Sequence, residues 1–218
     1  MVREPYTTAG DSLMYFARGR EAQYLREADD ELGAIIDEFG EVHCDIDGDG
    51  FLSLARAIVD QQISMSAARS IWARFEAYSG GRVTPQATLE ATEDDLRACG
   101  LSRSKIAALK DLSAHVSDGR IDFGRLEAQT DEEIIETLTQ VRGIGVWTAQ
   151  MFLIFSLGRP DVFALADGGL RRAVAKLKGI DPADAPPALI EAISDEWAPY
   201  RTTAALFLWK YLNNDPDA

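Results

Sequence analysis

Apolar residues return every three or four positions along most of this chain, and that spacing restricts its fold more than any other feature. In "EAQYLREADDELGAIIDEFG" the residues Tyr24, Leu25, Leu32, Ile35, Ile36 and Phe39 share a helical stripe, the mark of one amphipathic helix or a pair. The same period continues through "FLSLARAIVDQQISMSAARSIWARFEAYSGG", from Phe51 to Tyr78, and stops at Gly80-Gly81. Local signals agree with it. Thr92 before "EDDLRACG" and Ser102 before "RSKIAALKDLSAHV" stand as N-caps, Gly100 is a stop between them, and Thr130 with Glu133 spells a capping box. A strand needs sustained alternation of apolar and polar residues, and no stretch sustains it. The expected fold class is all-α.

Length and charge bound what such a bundle can do. The 218 residues suffice for one large domain or two small lobes. No apolar run approaches the ~20 residues that span a bilayer, and the N-terminus lacks a secretory signal. Cys44 and Cys99 are too few for a disulfide framework or a four-cysteine metal or iron–sulfur site. His43 and His115 stand far apart without a ligand pattern. An intracellular, reducing setting with no membrane partner is expected. The formal net charge of −14 argues against a nucleic-acid partner until its distribution is read. Residues 1–50 hold thirteen carboxylates and four arginines, whereas residues 142–180 hold six cations and two carboxylates. A local patch, not the total, governs polyanion binding. The asymmetry is compatible with a polyanion on one face.

Inside that basic stretch lies "VRGIGVWTA" at 141–149. The pattern is a helix ending near Gln140, a very short glycine turn, and a second helix starting just after Gly145. Glycines permit positive φ and close backbone approach, and a helix start presents unpaired N–H groups to an anion. An ordinary helical joint and a phosphate seat are equal readings of these residues alone. Further on, "DVFALADGGLRRAVAKLKG" places Asp167 ahead of two glycines and a basic amphipathic helix. Helix capping is the first reading of Asp167. It is compatible with a second, because a capping carboxylate is a fixed anion of the kind an oxocarbenium-like sugar cation needs. "DIDGDG" at 45–50 begins like a calcium loop, but its twelfth position is Arg56 where a bidentate glutamate belongs, so a solvated acidic turn is expected. Gln61, Gln62 and Ser64 are polar residues inside an apolar helical pattern, as a buried interhelical contact would be.

Four pieces, "AIVDQQIS", "LRACGLSRSKIAALKDLSAHV", "LTQVRGIGVWTAQMFLIFSLGRPDVFALADGGLRRA" and "WAPYRTTAALFLW", stand in this order between Phe51 and Trp209. Together they resemble the helix-hairpin-helix DNA glycosylase superfamily, in particular the DNA-3-methyladenine glycosylase II branch that excises alkylated purines. The resemblance implies two helical lobes, residues 51–160 and residues 1–50 plus 161–218, with a DNA-binding cleft between them. It makes Asp167 the catalytic carboxylate. Hairpin contacts to DNA would come from Arg142, Gly143, Gly145 and Thr148. A monovalent cation would sit on hairpin carbonyls near Val141 and Gly143, with no side-chain metal site and no organic cofactor. Arg142 stands where relatives often have proline, and Ala166 where they often have a second aspartate.

Trp147 takes the place of the Schiff-base lysine of bifunctional relatives. An indole forms no imine, so a monofunctional enzyme using water is implied; a core role for Trp147 remains the alternative. The base pocket would be walled by Trp147, Met151, Trp197 and Tyr200, electron-rich surfaces for a cationic N-alkylpurine, while Phe207 and Trp209 are read as core. Gln62, with Ser64 nearby, is implied as the wedge that fills the gap left by a flipped nucleotide. The implied activity is hydrolysis of the N-glycosidic bond of alkylated purines, 3-methyladenine and 7-methylguanine, in duplex DNA by an intracellular monomer. Glycosylase action on another damaged or mismatched base, and a non-catalytic hairpin module that binds DNA, are the other readings.

Overall fold

The computed structural model describes residues 6–9, 12–17 and 19–214. The side chains of 6–9, 12–17, 43 and 44 lie outside that description, and the expectations for His43 and Cys44 with them. In chain order the elements are β1 (Tyr6–Ala9), β2 (Ser12–Ala17), α1 (Arg20–Ala28), α2 (Asp30–Phe39), β3 (Val42–Ile46), α3 (Gly50–Asp60), α4 (Met65–Tyr78), α5 (Pro85–Glu90), α6 (Glu93–Ala98), α7 (Arg103–Ser117), α8 (Phe123–Leu126), α9 (Asp131–Thr139), α10 (Val146–Phe155), α11 (Gly168–Leu177), α12 (Pro187–Asp195) and α13 (Arg201–Asn213). Two compact units emerge. One combines the residues up to Gly48 with those from Leu153 onward, and the other is Asp49–Phe152. The second division falls inside α10, ahead of the boundary at residue 160 expected from the family pattern.

The central unit is built from local signals. Ser64, Thr84, Thr92, Ser102 and Thr130 each accept a backbone N–H at the start of a helix, and the boxes Thr92/Asp95 and Thr130/Glu133 close in both directions. Each cap supplies a partner to an N–H that the helix itself cannot satisfy, worth about 1 kcal/mol. Helix α7 packs against α3, α5 and α6, and its Leu109 and Leu112 are fully buried. The acidic turn expected at 45–50 is shorter than that: Asp45 and Ile46 end β3, and Asp49 accepts the Leu52 N–H at 3.1 Å and caps α3.

In the other unit α13 is the axis. Its residues from Thr202 to Leu208 are buried without interruption, as in a helix surrounded on every side. It packs against α1, α2, α11 and β3. The fold is all-α in class, with one addition: β1, β2 and β3 form an antiparallel sheet in which Thr7 faces Met14 and Met14 faces Asp45. Short strands such as "YTTA" and "SLMYFA" owe their state to pairing and leave too little alternation to be read in advance.

Candidate functional site

The hairpin in the central unit is a turn with two apolar feet. Val141 and Ile144 are buried and the Ile144 N–H closes the turn on the Val141 carbonyl at 3.1 Å, while Arg142, Gly143 and Gly145 are exposed. The turn is also tied from outside. Asp111 on α7 accepts the Arg142 N–H at 2.7 Å, and the Gln61 amide donates to the Gly143 carbonyl at 2.9 Å. Helix α10 then opens with the bond from the Ala149 N–H to the Gly145 carbonyl, so the amides of its first turn face outward with the positive end of the helix dipole.

The two glycines differ in a way the sequence did not show. Gly143 has φ 81°, and a Cβ there would meet the Ala108 methyl at 3.2 Å. Gly145 has no positive φ and open space around it. The expectation that both need glycine's conformational freedom is therefore corrected: Gly143 does and Gly145 does not. As for a monovalent cation, the Val141 and Gly143 carbonyls each already accept a protein N–H, which leaves one lone pair apiece for an ion.

The helical pattern of residues 51–78 is interrupted. Between α3 and α4 the chain leaves the helix at Gln61–Ser64, and Gln62 has φ 56°, the only positive φ at a non-glycine residue among those described. Neither Gln62 nor Ser64 is buried between helices: both are exposed, and Ser64 caps α4 through the Ala67 N–H at 3.3 Å. Gln62 therefore stands in the left-handed region at an exposed loop tip that is tied to the hairpin through Gln61.

In the other unit, the run from Arg159 to Asp167 is anchored at its start. Thr202 donates to the Arg159 carbonyl at 2.6 Å and accepts the Val162 N–H at 3.1 Å, and Arg201 holds Asp161 through two guanidinium nitrogens at 2.8 and 3.0 Å. Asp167 at its end caps α11. Its Oδ1 accepts the Leu170 N–H at 2.8 Å and the Trp209 indole N–H at 3.3 Å. Trp209 is itself stacked on Phe155, with ring centroids 5.8 Å apart and planes at 29°. The carboxylate is held in direction by two donors on one oxygen.

The aromatic candidates separate by burial. Trp147 is 42% exposed and Val146 52%, so the core alternative for Trp147 is removed; Met151 follows one turn later on the same face of α10. Trp197 is corrected: it has no exposed surface, and its indole N–H is spent on Asp29 at 2.9 Å, so it is core and walls no open pocket. Thr148 is corrected as well, since it is only 5% exposed and presents almost no surface to DNA. Tyr200 is half-buried and meets Tyr24 edge to face at 5.3 Å. Trp209, read as core from sequence, instead touches Asp167, and Tyr24, read only as part of an apolar helical stripe, is 39% exposed and meets Tyr200. Nothing in their local sequence marks either one, because both roles arise from contacts across many residues of chain.

Residues 55–199 match the model of the HhH-GPD superfamily of base excision DNA repair proteins. The chain is 38% identical over 160 residues to "DNA-3-methyladenine glycosylase 1" of Schizosaccharomyces pombe, covering 72% of this chain and 70% of that one. It spans 64%, 70% and 69% of the length of curated relatives from Bacillus subtilis, Schizosaccharomyces pombe and Saccharomyces cerevisiae. The crystal structure of a DNA-3-methyladenine glycosidase from Bacillus halodurans superposes with a TM-score of 0.85 at 36% identity, over 92% of this chain and 93% of that one. A Schizosaccharomyces pombe 3-methyladenine DNA glycosylase in complex with abasic DNA superposes with a TM-score of 0.77 at 30% identity, over 92% and 99%.

Proposed function

The chain belongs to the HhH-GPD superfamily of base excision DNA repair proteins, and on that premise we propose that it is a monofunctional DNA glycosylase for alkylated purines. Its substrate is duplex DNA carrying 3-methyladenine- or 7-methylguanine-type lesions. The observation that carries this reading is Asp167, a capping carboxylate held by the Leu170 N–H and the Trp209 indole. The resemblance to the family implies the role of catalytic aspartate for it.

The damaged nucleotide leaves the stack, and Gln62, with Ser64 beside it, fills the gap. The hairpin amides around Gly145 and the start of α10 hold a backbone phosphate, with the Arg142 guanidinium adding charge. The C1′–N bond breaks with its electron pair going to the base, which is already cationic and therefore a good leaving group. Asp167 stabilises the positive charge that develops on the sugar. Water then bonds to C1′ and loses a proton to solvent or to the Asp167 carboxylate, leaving an abasic site. Trp147 and Tyr200, with Met151, supply the surfaces that favour a cationic purine, and Trp209 holds Asp167 in direction. No amine stands at Trp147, so no imine forms and the strand stays whole.

The test is an excision assay on duplexes bearing a single 7-methylguanine, reading base release by chromatography and strand scission with and without alkali. Base release with scission only after alkali is the expected result. No release from any alkylpurine duplex despite tight DNA binding would leave a non-catalytic hairpin module; scission without alkali would overturn the monofunctional reading.

A further inference from the structure

One residue past Asp167 the same helix borders a cavity of about 490 Å³, lined by Gly168, Gly169, Arg171, Arg172, Pro182 and Ala185. We propose that this cavity is a second phosphate seat, taking the backbone phosphates next to the sugar on which Asp167 acts.

Charge is the first reason. In a chain of net charge −14, no carboxylate lines this cavity and two arginines do. Several arginines elsewhere are committed: Arg26 to Asp37, Arg82 to Asp49, Arg125 to Asp122, Arg201 to Asp161. Arg171 and Arg172 are exposed and have no ion pair among the described residues. The neighbouring Asp181 is turned into its own bend, accepting the Ala183 N–H at 2.9 Å. Two arginines left unpaired beside a concavity in so acidic a protein are matched to an outside anion, and guanidinium is the side chain best suited to phosphate.

Shape is the second reason. Gly168 has no positive φ and a Cβ there would touch nothing within 4 Å, so neither conformation nor packing requires glycine. Gly169 differs, since its Cβ would lie 3.0 Å from the Asp167 carboxylate. A bare backbone facing a cavity lets a ligand approach closely. The volume exceeds what one phosphate fills and suits a phosphate with part of its sugar. A strand seated here is held in register with a carboxylate on the same helix.

This proposal rests on the glycosylase reading only for which phosphates are seated. The test compares wild type, Arg171→Gln, Arg172→Gln, the double variant and the double Lys variant by fluorescence anisotropy. The probe is a duplex with a tetrahydrofuran abasic analogue, over a series of KCl concentrations, with melting checked for each protein. Each Gln is expected to flatten the slope of log affinity against log salt by roughly one unit, and the Lys variant to keep it. Methylphosphonates flanking the tetrahydrofuran should weaken wild type more than the double Gln variant. A double Gln variant with the wild-type slope, or equal methylphosphonate losses in both proteins, overturns the seat. Base release from 7-methylguanine duplex, measured alongside, separates the two ideas. Slope loss without any release keeps the seat and sinks the glycosylase; release with an unmoved slope sinks the seat alone.

Discussion

Asp167 caps α11 and, in the proposed mechanism, stabilises the sugar cation, and a single substitution divides the two roles. Asparagine keeps an oxygen for both the Leu170 N–H and the Trp209 indole, and it caps as well as aspartate. Asp167→Asn should therefore melt close to wild type and bind abasic DNA, while excision falls by at least ~100-fold, the loss from deleting an electrostatic catalytic contact. Near-normal excision would sink the mechanism. Trp209→Phe retains a ring against Phe155 and removes only the N–H. Single-turnover excision should drop ~10-fold with DNA affinity unchanged, in line with a hydrogen bond to a charged group; a loss of affinity with an unchanged rate would make Trp209 a wall and not a support. The hairpin glycines give the complementary contrast. Gly143→Ala forces φ 81° on a residue with a Cβ 3.2 Å from Ala108 and should cost ~1 kcal/mol of stability or more. Gly145→Ala should leave melting alone and weaken DNA binding. If Gly145→Ala binds as wild type does, the phosphate role of the hairpin is wrong.

At the scale of elements, the unit carrying Asp167 depends on one buried network. Asp29 caps α2 through the Leu32 N–H at 3.0 Å, takes the Trp197 indole N–H at 2.9 Å and pairs with Lys178 at 2.8 Å, beyond the end of α11. Lys178 also reaches Glu31 at 2.8 Å. Burial alone would raise the Asp29 carboxyl, but the bonds from Lys178, Leu32 and Trp197 outweigh it and hold it below its ordinary value. Burial likewise works against the Lys178 ammonium, and its bonds to Asp29 and Glu31 outweigh that and raise it. A depressed carboxyl stabilises the fold above its unfolded pKa and loses that stabilisation as pH falls through the folded one. A raised ammonium stabilises below its unfolded pKa and loses it as pH rises through the folded one. The network is at full strength at neutral pH. Lys178→Met strands a carboxylate whose side chain has no exposed surface, so urea unfolding at pH 7 should show a loss of ~3 kcal/mol. The difference from wild type should shrink once Asp29 is protonated; a pH-independent difference would assign the loss to packing.

For the whole molecule, the charge of −14 predicts repulsion from DNA at long range, while Arg142, Arg171 and Arg172 predict attraction at contact. The slope of log affinity against log salt should be near −3, roughly one unit for each of these arginines; a flat response would exclude duplex binding through them. Much of this was legible in the chain before folding. The helices, their caps at Thr92, Ser102 and Thr130, the glycine turn at 142–145 and Asp167 as a helix start are all local, since helical period and capping bonds span three or four residues. Equally short-range cues missed what depends on partners. The strands needed one another, and the break at Gln61–Ser64 hid under an apolar period that runs on through it. The choice between Trp197 and Trp209 was not local at all: Trp197 finds Asp29 across 168 residues of chain and Trp209 finds Asp167 across 42. An indole carries the same apolar area and the same N–H wherever it sits, and tertiary packing alone decides which carboxylate that N–H meets and whether the ring is sealed in the core or set beside the chemistry.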